Sequence, residues 1–138
     1  MGIVVSDMNV SLAFYRDLLG LRDAAVANEA GDFLDGLLGM TGARVATVKL
    51  AGENGPALLE LLCFEAPLPS EATPLNAIGP THVALTVTDL DALYRRIIAA
   101  GYQFNTPPKV SPDGTAKVAF CRDPDGTFIE LVEILGTP

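Results

Sequence analysis

Apolar and polar positions along this chain fall into two successive series that run in the same order. The first opens on Gly2–Val5, a short β-type run, and then changes period. Val10, Phe14 and Leu18 recur every four residues, with Leu12, Tyr15 and Leu19 widening the stripe, which predicts an amphipathic helix ended by Gly20. Leu21–Ala27 reads as a strand, and residues 28–42 ("NEAGDFLDGLLGMTG") as a short helix or lid-like loop. Arg44–Leu50 alternates as a strand does, "GENGP" is a turn by composition, and Ala57–Phe64 is an apolar strand broken by one charge, Glu60. The second series repeats this order. His82–Val87 is a strand, Leu90, Leu93, Ile97 and Ala100 mark a helix ended by Gly101, and Tyr102–Thr106 is a short strand before a Pro-Pro break. Lys117–Cys121 and Thr127–Ile134 are the last strands, joined by the tight turn "RDPDGT", and the final one is again broken by a carboxylate, Glu130.

The correspondence extends to single residues. Asp7 falls on Asp89 and Val5 on Val87, at an offset of 82, with Asp7 or Asn9 expected to cap the first helix and Asp89 or Thr88 the second. "LLELL" at 58–62 falls on "FIELV" at 128–132, so Glu60 matches Glu130 at an offset of 70. The change of offset assigns about twelve extra residues to the first half, most simply the 28–42 loop. The fold expected is α+β, with two tandem βαβββ modules at 1–66 and 81–138, a linker at 67–80, and one structural domain overall. At the first offset the counterpart of His82 falls at position zero, before Met1.

Composition narrows the function. The formal net charge of −8 disfavours nucleic acid and anionic membrane surfaces, both of which need clustered Lys and Arg. No apolar run approaches the ~18 residues of a membrane span, and no signal peptide is evident. Cys63 and Cys121 lie in apolar strands without metal-type spacing, so both are expected as inert core thiols in a reduced, cytoplasmic protein.

Strand periodicity locates the candidate chemistry. His82, the one histidine of the chain, shares a face with Ala84 and Thr86, while Val83, Leu85 and Val87 form the face that packs on a helix. Glu60 and Glu130 stand in otherwise apolar strands, where an unpaired carboxylate is costly. Each is satisfied either by an Arg, a hydroxyl or water, with His82 a hydrogen-bonded core histidine, or by a divalent metal shared among His82, Glu60 and Glu130. Phe33, Leu37, Met40, Phe104 and Phe128 are candidates to line an apolar pocket, or else ordinary core. Lys109 and Lys117 flank an exposed turn, and Arg95-Arg96 reads as a solvated helix face.

The stretches "GIVVSDMNVSLAFYRDLLGL", "LLELL", "THVALTVTDLDALYRRIIAAG" and "AFCRDPDGTFIELVE" span nearly the whole chain. In these the chain resembles the vicinal oxygen chelate superfamily, which includes glyoxalase I, epimerases, bleomycin-resistance proteins and extradiol dioxygenases. The resemblance implies a curled mixed sheet around a central cavity, with one divalent metal (Ni, Zn, Co, Mn or Fe) held by Glu60, His82 and Glu130. It further implies lyase or isomerase chemistry of the glyoxalase or epimerase type. A proton alpha to a carbonyl is moved by Glu130 or Glu60 through a metal-stabilised enediolate, and Glu60 favours this over oxygen or thiol transfer. The alternative within the same resemblance is a metal-free protein that sequesters a small molecule, as bleomycin-resistance proteins do. A small-molecule substrate or ligand and a homodimer are the partners implied.

Overall fold

The computed structural model describes residues 1–71, 73–76 and 78–136. The chain divides into two compact units, Met1–Glu71 and Ala72–Pro138. Each carries its own four-stranded mixed sheet.

In the first unit, β1 (Gly2–Val4), β2 (Arg22–Ala30), β3 (Arg44–Ala51) and β4 (Ala57–Ala66) stand in the order β1-β4-β3-β2. Only β1 and β4 run parallel. The crossover is α1 (Met8–Leu12), capped by the Asp7 carboxylate, which accepts from the amides of Asn9 and Val10. It continues directly as a π-helical segment, Ala13–Leu18. Ser11, Phe14 and Tyr15, at i, i+3 and i+4, are fully buried, whereas Val10 lies off this face and is exposed. Adjacent Phe14 and Tyr15 therefore both enter the core, their rings edge to face at 5.1 Å. Each such buried ring contributes roughly 1.5–3 kcal/mol. The 28–42 segment supplies the end of β2 and α2 (Asp32–Leu38), closed by Gly39 in the left-handed conformation.

The second unit repeats the plan with β5 (His82–Thr86), α3 (Leu90–Ala99), β6 (Lys109–Val110), β7 (Ala116–Arg122) and β8 (Phe128–Ile134), in the order β5-β8-β7-β6. Leu90, Leu93 and Ile97 of α3 are buried together with Val83, Ala119, Cys121, Ile129 and Leu131. The strand expected at Tyr102–Thr106 reduces to one bridge, Phe104 to Cys121, and regular pairing resumes at Lys109–Val110. Pro107 and Pro108 have no amide hydrogen to give the ladder. The turn beyond them restores pairing, with the Ser111 amide donating to the Ala116 carbonyl at 2.8 Å.

Strand register confirms the internal repeat residue by residue. Gly2 pairs with Glu60 across β1–β4, and Ala84 pairs with Glu130 across β5–β8. These pairs stand at the offsets of 82 and 70 read from the sequence. No helix among the described residues is long and apolar enough to cross a membrane.

Candidate functional site

In the second unit α3 covers one face of the sheet, and the other face presents His82, Ala84 and Thr86 of β5 with Phe128, Glu130 and Val132 of β8. Parallel pairing sets His82 beside Phe128 and Ala84 beside Glu130, so His82 and Glu130 are diagonal neighbours. Their side chains meet, with Nε2 3.5 Å from Oε2. The other ring nitrogen, Nδ1, lies 3.2 Å from the Thr81 hydroxyl, and the Phe120 ring stands edge-on to the imidazole at 5.4 Å. Two contacts thus orient the ring and leave Nε2 toward the carboxylate. Neither side chain is sealed off, at 39% and 25% exposure. His82 is therefore not a core histidine.

This pair fits a first-row divalent cation in both chemistry and spacing. Imidazole nitrogen and carboxylate oxygen suit such ions, and two donors each ~2.1 Å from a tetrahedral centre stand roughly 3.4 Å apart. Within neither unit do three His, Cys, Asp or Glu side chains cluster among the described residues.

Glu60 occupies the matching position in the first unit, but its neighbours differ. Lys49 stands directly opposite it on β3, with Nζ 3.7 Å from Oε1. Both groups are more than a third exposed, so this ion pair is screened and weak. The Met1 ammonium donates to the Leu58 carbonyl at 3.0 Å, and the Glu60 amide donates to the Met1 carbonyl at 2.8 Å. Strand β1 therefore runs directly alongside Glu60.

The apolar candidates separate by position. Leu34 of α2 packs with Val45 and Ala43, and with Leu62 and Phe64 of β4. Leu62 and Phe64 follow Glu60 at alternate positions along β4, so α2 rests on the face that carries Glu60. The Asp35 carboxylate fixes the segment by accepting from the amides of Gly42 and Ala43 at 2.6 and 2.7 Å. Phe33 and Leu37, one helical turn apart, remain 84% and 69% exposed, and Met40 is exposed beside them. Phe128 lies next to His82 and is buried. Phe104 is on the other side of its sheet: its bridge to Cys121 sets it on the helix-covered face, where its ring packs on Tyr94 at 4.7 Å. Sequence reading passed over Lys49, Phe120 and Arg122, whose importance comes from what stands opposite them in the ladder. Cys121 is buried and its thiol is pushed up to about 12, chiefly by that burial. Lys117, beside the turn, is engaged by Asp91 and Glu133.

Comparison with known proteins places the fold in a family. The model of the glyoxalase/bleomycin resistance protein/dioxygenase superfamily matches residues 1–131. The chain is 32% identical over 132 residues to the Escherichia coli protein YaeR, covering 95% of this chain and 91% of that one. It is 30% identical over 129 residues to a probable lactoylglutathione lyase of Vibrio cholerae, covering 94% and 84%. A crystal structure of a glyoxalase family protein from Bacillus cereus superposes with a TM-score of 0.87 at 25% identity, covering 99% of this chain and 92% of that one. The chain belongs to the glyoxalase/bleomycin resistance protein/dioxygenase superfamily.

Proposed function

We propose that the protein is a divalent-metal-dependent lyase or isomerase of the glyoxalase type, with Glu60, His82 and Glu130 as protein ligands. The observation that carries this reading is the His82–Glu130 pair, 3.5 Å apart on an open sheet face, with Glu60 at the matching register of the other module. The 30% identity to a probable lactoylglutathione lyase supports the same reaction class. Glu60, His82 and Glu130 would hold the cation, which would supply Lewis acidity toward a substrate carbonyl. Glu130 or Glu60 takes the proton alpha to that carbonyl and returns it to the same or the neighbouring carbon. Thr81 and Phe120 hold the His82 ring in place. Phe33, Leu37 and Met40 offer exposed apolar surface to the rest of the substrate, whereas Phe128, expected to line the pocket, is buried beneath Arg122 and offers none.

Metal content tests this directly. The purified protein should hold about one Ni²⁺, Zn²⁺, Co²⁺, Mn²⁺ or Fe²⁺ per chain by elemental analysis, and His82→Ala should remove it. No metal, together with an unchanged melting temperature on adding Ni²⁺, Zn²⁺ or Mn²⁺, would sink the enzyme reading. The Lys49–Glu60 ion pair favours the second reading, a metal-free small-molecule binder, because it gives Glu60 a counter-charge without a metal. A homodimer and a cytoplasmic setting belong to this proposal. The exposed apolar residues Val26, Phe33 and Leu37 support the first, and two cysteines outside any disulfide support the second. Light scattering on the purified protein tests the dimer.

A further inference from the structure

On the open face of the second sheet, His82, Phe128 and Arg122 form one row across three neighbouring strands. Adjacent strands stand ~4.8 Å apart, so Arg122 flanks the His82–Glu130 pair from the far side of Phe128. Its guanidinium carbon lies 4.2 Å from the centroid of the Phe128 ring. The contact is a cation–π stack on a ring that is only 5% exposed. A cation–π contact takes up none of the guanidinium N–H groups in a conventional hydrogen bond, so these donors remain for a planar oxyanion. Among the described residues no carboxylate lies within ion-pairing distance of Arg122, whereas Arg16, Arg44, Lys49 and Lys117 all have one. Lys109, set on the same face by its pairing with Val118, also has no carboxylate partner, and Arg122 is the cation of this face that stands beside the Phe128 ring in the row of His82.

We infer that Arg122 receives an oxyanion of the ligand, a carboxylate or a phosphate, and so determines specificity for anionic substrates. The inference rests on the proposed site to the extent that the ligand sits at His82 and Glu130. Phe128 then acts as a positioning residue: its ring fixes the plane of the fork, and a bidentate oxyanion completes the edges.

His82 is the only histidine, so its ring signals in a proton–nitrogen NMR spectrum are assigned without ambiguity. Malonate and inorganic phosphate are titrated separately into the purified protein, with chloride at equal ionic strength as the control. Saturable shifts of the His82 ring signals are expected with one of the two anions, and which one distinguishes carboxylate from phosphate recognition. Arg122→Gln should weaken that binding at least tenfold, and Arg122→Lys should recover part of it, since lysine keeps the charge but loses the fork. Dispersed amide spectra of both variants establish that they are folded. Equal binding in wild type and Arg122→Gln, or no saturable shift with either anion, overturns the inference. A parallel Ni²⁺ titration followed on the same ring signals reports the metal reading separately, because either titration can fail while the other succeeds.

Discussion

The two modules place a glutamate at the same register and give it opposite company. In the first, Lys49 stands across the ladder from Glu60 at 3.7 Å. In the second, the residue across from Glu130 is Phe120, which carries no charge and whose ring braces His82 instead. A duplicated backbone fixes where a carboxylate stands, and the residue opposite decides whether it is neutralised by a side chain or left open to a ligand. The same divergence recurs on the helix-covered side. Glu133 accepts from the Leu90 amide at 3.1 Å and so braces the start of α3. At the matching place in the first module stands Cys63, whose thiol lies 3.7 Å from the Ser6 carbonyl. The first module thus leaves its helix start to the Asp7 cap.

The equivalence of the modules is broken hardest at the core. Leu61 and Leu131 match at the offset of 70 and are both fully buried. Leu61→Ala and Leu131→Ala should each cost about 2–5 kcal/mol by leaving a cavity, measured as denaturant midpoints. A large inequality between them would mean that one module contributes little to the cooperative unit.

Transplanting the ion pair is the sharper test at the site. Phe120→Lys sets an ammonium across from Glu130, as Lys49 stands across from Glu60, and removes the ring that braces His82. Nickel affinity, followed by calorimetry, should fall by roughly tenfold or more. The converse change, Lys49→Phe, releases Glu60 and should leave affinity equal or higher. If Phe120→Lys binds nickel as the wild type does, the residue opposite Glu130 does not govern the site.

Each module also contributes one thiol. Cys121 is buried, and a value near 12 leaves almost no thiolate at pH 8, while Cys63 is only half-buried. Iodoacetamide at pH 8 should therefore modify Cys63 in the native protein and leave Cys121 intact, with a rate ratio of roughly tenfold or more by peptide mass mapping.

How much of this was legible beforehand depends on whether a feature is local or created by pairing. The repeat, the caps at Asp7 and Asp89, and the shared face of His82 and Ala84 follow from spacing within one strand or one turn, and the structure has them. In the first helix Phe14 and Tyr15 are buried as their spacing implies, but Val10 is exposed and Ser11 is buried in its place, because the buried face is centred on 11, 14 and 15 and not on the four-residue row through Val10. The strand expected at Tyr102–Thr106 shortens to the Phe104–Cys121 bridge, flanked by the Asn105 amide donating to the Phe120 carbonyl and the Arg122 amide donating to the Gln103 carbonyl, and pairing resumes beyond the Pro-Pro break. Phe104 was invisible as a helix-side residue until its bridge to Cys121 set its face. Lys49, Phe120 and Arg122 carry no motif of their own, and each matters through a partner that antiparallel register supplies from elsewhere in the chain.

The smallest expected effect lies in the brace that only the second module has. Lys117 stands across from Glu133, with Nζ 3.6 Å from its carboxylate and 2.7 Å from that of Asp91 in the first turn of α3. The hydrogen bond to Asp91 is the main reason its pKa is raised above the ordinary lysine value, with burial opposing it. A raised value means that the folded state holds the proton more tightly than the unfolded chain. The stabilisation is therefore complete below the ordinary lysine range, ~10.4, and is lost as pH rises through the folded value. Lys117→Met should lower the melting temperature slightly at pH 7, and the difference from wild type should shrink as the pH is taken above 11. Glu133 keeps its bond from the Leu90 amide in the variant, so α3 stays seated and the change reports the ion pair rather than a lost helix. The first module offers the control. Ala46 stands across from Cys63 at the matching position, so Ala46→Ser should produce no difference that changes with pH over the same range. A Lys117→Met deficit that persists undiminished at high pH would assign the effect to packing of the lysine stem along β7 instead of to its charge.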